Sequence, residues 1–136
     1  MSPHPAPQQP HQHAPQKSHG GIARVFKAFR YSRQGLQQAV AHEAAFRQEL
    51  ALCALLLVAV PFVASTAWHA LALVAVLLLV LVVELINSAV EALADALSTE
   101  MHPLLGRAKD LGSAAVLLSL TLAAATWGVA LWERFR

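Results

Sequence analysis

The stretch LALCALLLVAVPFVASTAWHALALVAVLLLVLVV, Leu50 to Val83, runs for 34 residues without an Asp, Glu, Lys or Arg. One helical membrane crossing takes about 20 apolar residues, so this stretch is too long for a single span and must contain a turn. Pro61, Ser65, Thr66, Trp68 and His69 mark its place, and Trp68 and His69 are rings that settle at a membrane interface. Two spans are therefore expected, one over about 44–63 and one over about 68–97. The second keeps helical apolar spacing past Val83 and so should protrude into water. A second charge-free run, Leu111 to Trp132, predicts a third span over about 109–132, after a loop marked by Ser98, Thr99, Pro103 and Gly106.

Composition agrees with a membrane protein. Of 136 residues, 57% are hydrophobic and only 13% charged, against about 25% charged in soluble domains. The net charge of +2 is small and its basic residues lie near apolar segments, which argues against a nucleic-acid partner. The lone Cys53 lies within an apolar run and reads as a small hydrophobe.

Residues 1–19 hold five of the seven prolines and four of the seven histidines, with no apolar pattern able to offset the entropy of ordering, and are expected to be a disordered tail. Over 22–40 the spacing becomes that of an amphipathic surface helix. Ile22, Val25, Phe26, Phe29, Leu36 and Val40 share one face, with Arg24, Lys27, Tyr31, Gln34 and Gln38 opposite. Arg33 falls on the apolar face, where a snorkelling or headgroup contact accommodates it. The fold class expected is thus an all-α membrane protein with an amphipathic surface helix and three transmembrane helices. Gly112, Ser113, Ala114, Ala115 and Ala123 to Ala125 offer small residues for close helix packing in an oligomer.

Lys17, Arg24, Lys27, Arg30, Arg33 and Arg47 precede the first span, and Arg107 and Lys109 are assigned to the second loop. The positive-inside rule puts the N-terminus and that loop in the cytoplasm. Every acid but Glu133 then falls on the same side: Glu43, Glu49, Glu84, Glu91, Asp95, Glu100 and Asp110. On the second span Glu84, Asn87, Ser88, Glu91 and Asp95 lie at i, i+3, i+4, i+7 and i+11, a single stripe. Glu84 is expected about one turn inside the apolar layer, where a carboxylate is costly and marks function, and where it suits a proton acceptor. The acids at this level outnumber Arg47, Arg107 and Lys109, which invites a divalent cation. No GxxxxGK[ST] loop or protein-kinase motif set is present, so spacing alone supports a metal-binding interfacial site.

Three segments, EAAFRQE (Glu43 to Glu49), VELINSAVEA (Val83 to Ala92) and GRAKDLGSAAVL (Gly106 to Leu117), in that order and spacing, resemble the prokaryotic diacylglycerol kinase family of small three-span membrane enzymes. The resemblance covers roughly 20–135. It implies transfer of the γ-phosphoryl group of ATP to the hydroxyl of diacylglycerol, giving phosphatidic acid, with Mg²⁺ as cofactor. It also implies a homotrimer with sites shared between neighbouring subunits, and a bacterial cytoplasmic (inner) membrane location. Carried over by motif, Glu84 is the general base, Asn87 orients it or the substrate, and Glu43 and Glu91 hold Mg²⁺. Tyr31, Glu43, Glu91, Glu100, His102, Lys109 and Asp110 contact ATP. Arg24, Arg33, Ala45, Phe46, Arg47, Gln48, Glu49, Glu84, Ser113 and Trp127 border the lipid.

Two alternatives stand beside this reading: an undecaprenol kinase of the same family, and a small oligomeric proton-coupled transporter in which Glu84 binds and releases protons. A purely structural helical oligomer is a further possibility. Transport gives no reason for Glu43, Glu91 and Lys109 to accompany the deep acid.

Overall fold

The computed structural model describes residues 21–136 apart from positions 99 and 101; the tail expected over 1–19 lies outside the described residues. Four helices follow in order: α1 (Gly21–His42), α2 (Ala44–Val63), α3 (Ala67–Leu97) and α4 (Pro103–Phe135). The described residues contain no strand, so the chain is all-helical. Contacts divide it into two units, one ending at Gln34 and one running from Gly35 to Arg136.

Three of the helices, α2, α3 and α4, are long and apolar enough to cross a membrane. At 1.5 Å per residue the 31 residues of α3 extend about 46 Å. That exceeds the roughly 30 Å of a hydrocarbon core, and the surplus is long enough to carry Glu91 and Asp95, the acids nearest the C-terminal end of α3.

Local chemistry explains where the helices begin and end. Pro61 sits in the last turn of α2, and the helix stops at Val63. Thr66 caps α3, its Oγ1 accepting the His69 N–H at 3.1 Å, while His69 Nδ1 accepts the Ser65 N–H at 3.4 Å. The first bond satisfies one of the free donors at that helix start, and the second ties down the residue before the cap.

The loop before α4 is shorter than the sequence suggests. Pro103 and Gly106, expected in the loop, both belong to α4, and so do Arg107 and Lys109. The reason is local: proline suits the first helical position, where its missing N–H costs nothing, and His102 Nδ1 accepts the Leu104 N–H at 3.3 Å.

Helix α3 packs along α4 most extensively and against α2 next, whereas α2 and α4 touch little. The core gathers Cys53, Val60, Val63, Leu73, Leu77, Trp127 and Ala130. Arg134 Nε closes that end of the bundle by donating to the Phe62 carbonyl at 2.9 Å. At the other end Arg47 Nη1 donates to the carbonyls of Val40 (3.2 Å) and Ala41 (3.4 Å), which satisfies acceptors left free where α1 stops.

The outer surface is apolar: Leu55, Val58, Phe62, Leu78, Ile86, Leu117 and Leu118 are all exposed, as expected where the surrounding medium is lipid rather than water. Three hydroxyls on α4 turn back on the backbone for the same reason. Ser119, Thr121 and Thr126 each donate to a carbonyl three or four residues earlier at 2.8 Å.

Along α1, the apolar side chains Ile22, Val25, Phe26 and Phe29 are exposed.

Candidate active site

Helix α3 supplies the centre of the site. Glu84 and Asn87 are buried there, with Glu84 only 4% exposed, and both belong to the stripe that the 3.6-residue period aligns. One turn further, Glu91 accepts a hydrogen bond from Asn87 Nδ2 at 3.2 Å through Oε1. From α2, Glu43 at the helix start and Glu91 on α3 both act electrostatically on Glu84, and Glu84 acts on Glu49. The four glutamates that the sequence assigns to one level therefore form one electrostatic cluster.

Helix α4 closes the site. Gly112 brings its backbone against Asn87, and a β-carbon there would overlap Asn87 Oδ1. Nearer the start of α4, Lys109 Nζ lies 2.6 Å from Asp95 Oδ1 on α3, and Lys109 also feels the charge of Glu91.

Beyond this ion pair opens a cleft of about 490 Å³ lined by Ala94, Asp95, Ser98, Glu100, His102, Pro103, Leu105, Gly106 and Lys109. Three of the residues expected to meet ATP, Glu100, His102 and Lys109, thus share one cleft; Asp110, the next residue along α4, is exposed. Tyr31, Arg24 and Arg33 are exposed on α1, where the Arg30 guanidinium stands 5.5 Å from the Tyr31 ring centroid.

A second cavity, of about 270 Å³, opens among the three long helices and is lined by Glu49, Cys53, Leu56, Leu77, Ala123 and Trp127, among others. Its lining residues are apolar apart from Glu49, and two atoms of that lining set, Glu49 Oε2 and Trp127 Nε1, are buried with no hydrogen-bond partner among the described residues. Of the residues assigned to the lipid, Phe46 and Trp127 are buried, while Ala45, Arg47, Gln48 and Ser113 are exposed.

Comparison with known proteins decides the family. The family model for prokaryotic diacylglycerol kinase matches residues 30–131. The chain belongs to the prokaryotic diacylglycerol kinase family. It is similar to the diacylglycerol kinase of Escherichia coli strain K12, 44% identical over 115 residues that cover 85% of this chain and 94% of that protein. The Pseudomonas aeruginosa diacylglycerol kinase is 44% identical over 119 residues, 87% of this chain and 96% of its own. That of Haemophilus influenzae is 40% identical over 108 residues, 79% and 92% respectively. The kinase expectation drawn from the three motifs is upheld, and the transporter and structural readings are set aside.

Three features of this family member escaped the sequence. The Asp95–Lys109 pair, the seating of Asn87 over Gly112 and the cavity joining Glu49 to Trp127 all depend on the relative height of different helices. Opposite charges on two antiparallel helices joined by a short loop were the available signal for the first.

Proposed function

We propose that this diacylglycerol kinase uses Glu84 as the general base that takes the proton of the diacylglycerol hydroxyl. As that proton leaves, the hydroxyl oxygen bonds to the γ-phosphorus of ATP and the bond to the β-phosphate oxygen breaks, giving phosphatidic acid and ADP. The observation that carries this reading is the burial of Glu84 within the glutamate cluster, one α3 stripe away from the cleft that holds Lys109. From Glu84 to Asp95 the helix rises about 16 Å, a span that an extended nucleoside triphosphate can cover from cleft to base.

The donor set suits Mg²⁺. Glu43 and Glu91 offer two carboxylates, and among the described residues no group of three or more His, Cys, Asp or Glu could hold a metal by itself. Mg²⁺ binds through one or two carboxylates and completes its shell with substrate phosphates and water. Glu43 and Glu91 would hold the ion, and the chemistry it would supply there is neutralisation of phosphate charge. Asn87 holds Glu91 through its amide, and Lys109 meets the remaining phosphate charge. Positioning and electrostatics supply most of the catalysis in phosphoryl transfer, so this short set of residues is sufficient.

The lipid would enter beside Glu49 and Trp127, which line an apolar cavity and each carry a buried polar atom without a partner among the described residues. The excess of basic residues before α2 supports a cytoplasmic N-terminus, and the bacterial inner membrane is what the family resemblance implies. A homotrimer follows from the family resemblance, and cross-linking with mass measurement counts its subunits. The overall reading is tested with purified protein in mixed micelles containing Mg²⁺, labelled ATP and either diacylglycerol or undecaprenol. Labelled phosphatidic acid is expected. Label transferred to undecaprenol instead would overturn the substrate assignment, and absence of any labelled lipid would overturn the kinase reading.

A further inference from the structure

The Asn87 amide faces two helices. Its Nδ2 donates to Glu91 Oε1 on α3, and since a carboxylate only accepts, the nitrogen must be the end turned toward Glu91. The oxygen is thereby turned toward α4, where Oδ1 is buried without a hydrogen-bond partner among the described residues.

It fits there because position 112 is glycine. A β-carbon on Gly112 would overlap Asn87 Oδ1 and crowd Cγ at 3.4 Å, while Gly21, Gly35, Gly106 and Gly128 all have open space at that point. No described glycine has a positive φ, so the backbone makes no demand for glycine at 112. Helix propensity runs against it, since alanine is the better helix former. What requires glycine at this place is the volume that the Asn87 oxygen fills.

We propose that Gly112 is a positioning residue for phosphoryl transfer: by leaving that volume empty it holds the Asn87 amide against Glu91 and fixes the Glu91 carboxylate. The proposal rests on the reading of Glu91 as a metal-holding carboxylate. Asn87 Cα lies at an ordinary 3.8 Å from the added carbon, so the helices need not separate in a Gly112→Ala variant. The side-chain end of Asn87 turns away instead, and its bond to Glu91 is lost.

The test is a double-mutant cycle of Gly112→Ala and Asn87→Ala in mixed micelles, reading turnover and the Mg²⁺ concentration for half-maximal rate. Partners one step removed from a metal typically change its affinity or the activity about 10–100-fold. Gly112→Ala is therefore expected to raise the half-maximal Mg²⁺ about tenfold or more and to lower turnover. In the Asn87→Ala background the same substitution should change either quantity by less than about twofold, the scatter of independent sites. An equal factor in both backgrounds, or no effect in the first, overturns the positioning role.

Oligomer elution and resistance to unfolding in detergent serve as the folding readout. If Gly112→Ala lowers both and Asn87→Ala fails to restore them, the glycine serves helix packing and the proposal falls. If Glu91→Ala leaves the Mg²⁺ titration unmoved, the metal reading fails separately, and non-additivity in turnover still decides the role of Gly112.

Discussion

Lys109 Nζ reaches Asp95 Oδ1 at 2.6 Å and so joins the C-terminal end of α3 to the first turns of α4 at the rim of the cleft. Both side chains are partly exposed, at 39% for Lys109 and 67% for Asp95, and exposed pairs contribute little to stability. The pair matters for where it aims the ammonium group. Lys109→Ala is expected to leave detergent unfolding unchanged while raising KM for ATP severalfold. Asp95→Asn should raise it less, because the cation survives and only its anchor is lost. Steady-state kinetics at saturating lipid check both, and an unchanged KM in Lys109→Ala would remove this residue from the nucleotide site.

Glu84→Gln keeps the size of the side chain and removes its ability to take a proton. General base catalysis contributes about 10²–10⁴-fold, so turnover should fall by at least about 100-fold while ATP binding stays largely intact, the pattern of an interaction made in the transition state. Binding of an ATP analogue, measured beside turnover, separates the two. An equal loss of ATP affinity would argue against the base assignment.

Glu91→Ala removes one of the two carboxylates proposed to hold Mg²⁺ and leaves the Asn87 amide without its acceptor. The Mg²⁺ concentration for half-maximal rate is expected to rise about tenfold or more. A metal titration identical to that of the parent protein would take Glu91 out of the ligand set.

Trp127→Phe deletes the buried indole N–H, which has no partner among the described residues, and keeps an aromatic ring in the core cluster that includes Cys53 and Leu77. Stability should hold or rise, since an unsatisfied buried donor is removed. If that N–H serves the lipid, KM for diacylglycerol rises severalfold with KM for ATP unchanged. An unaltered lipid KM would assign the indole to packing alone.

Leu73 is fully buried where α3 meets its neighbours. In a water-soluble core Leu→Ala costs about 2–5 kcal/mol. Here lipid tails are as apolar as leucine, so the transfer part of that loss disappears and the cavity part remains. The expected loss for Leu73→Ala lies below that range, and detergent unfolding curves measure it.

Much of this molecule was legible in the chain itself. Membrane helices have a medium that rewards unbroken apolar length, so the gaps between charged residues mark α2, α3 and α4 directly. The stripe from Glu84 to Asp95 was equally legible, because helical period fixes which residues of one helix share a face. Less legible was the start of α4. Pro103 and Gly106 carry loop character by residue type, yet the His102 cap and the tolerance for proline at a first helical position extend the helix over them.

Sequence determined the helices, the acids that share one face of α3 and, through three ordered motifs, the family. Tertiary structure alone decided that Lys109 meets Asp95, that Asn87 is seated over Gly112, and that Glu49 and Trp127 face one cavity. The physical reason is the same in each case. Period and hydropathy fix what lies along one helix, whereas the height at which two helices meet depends on side chains from both, and on the volume that one missing β-carbon leaves between them.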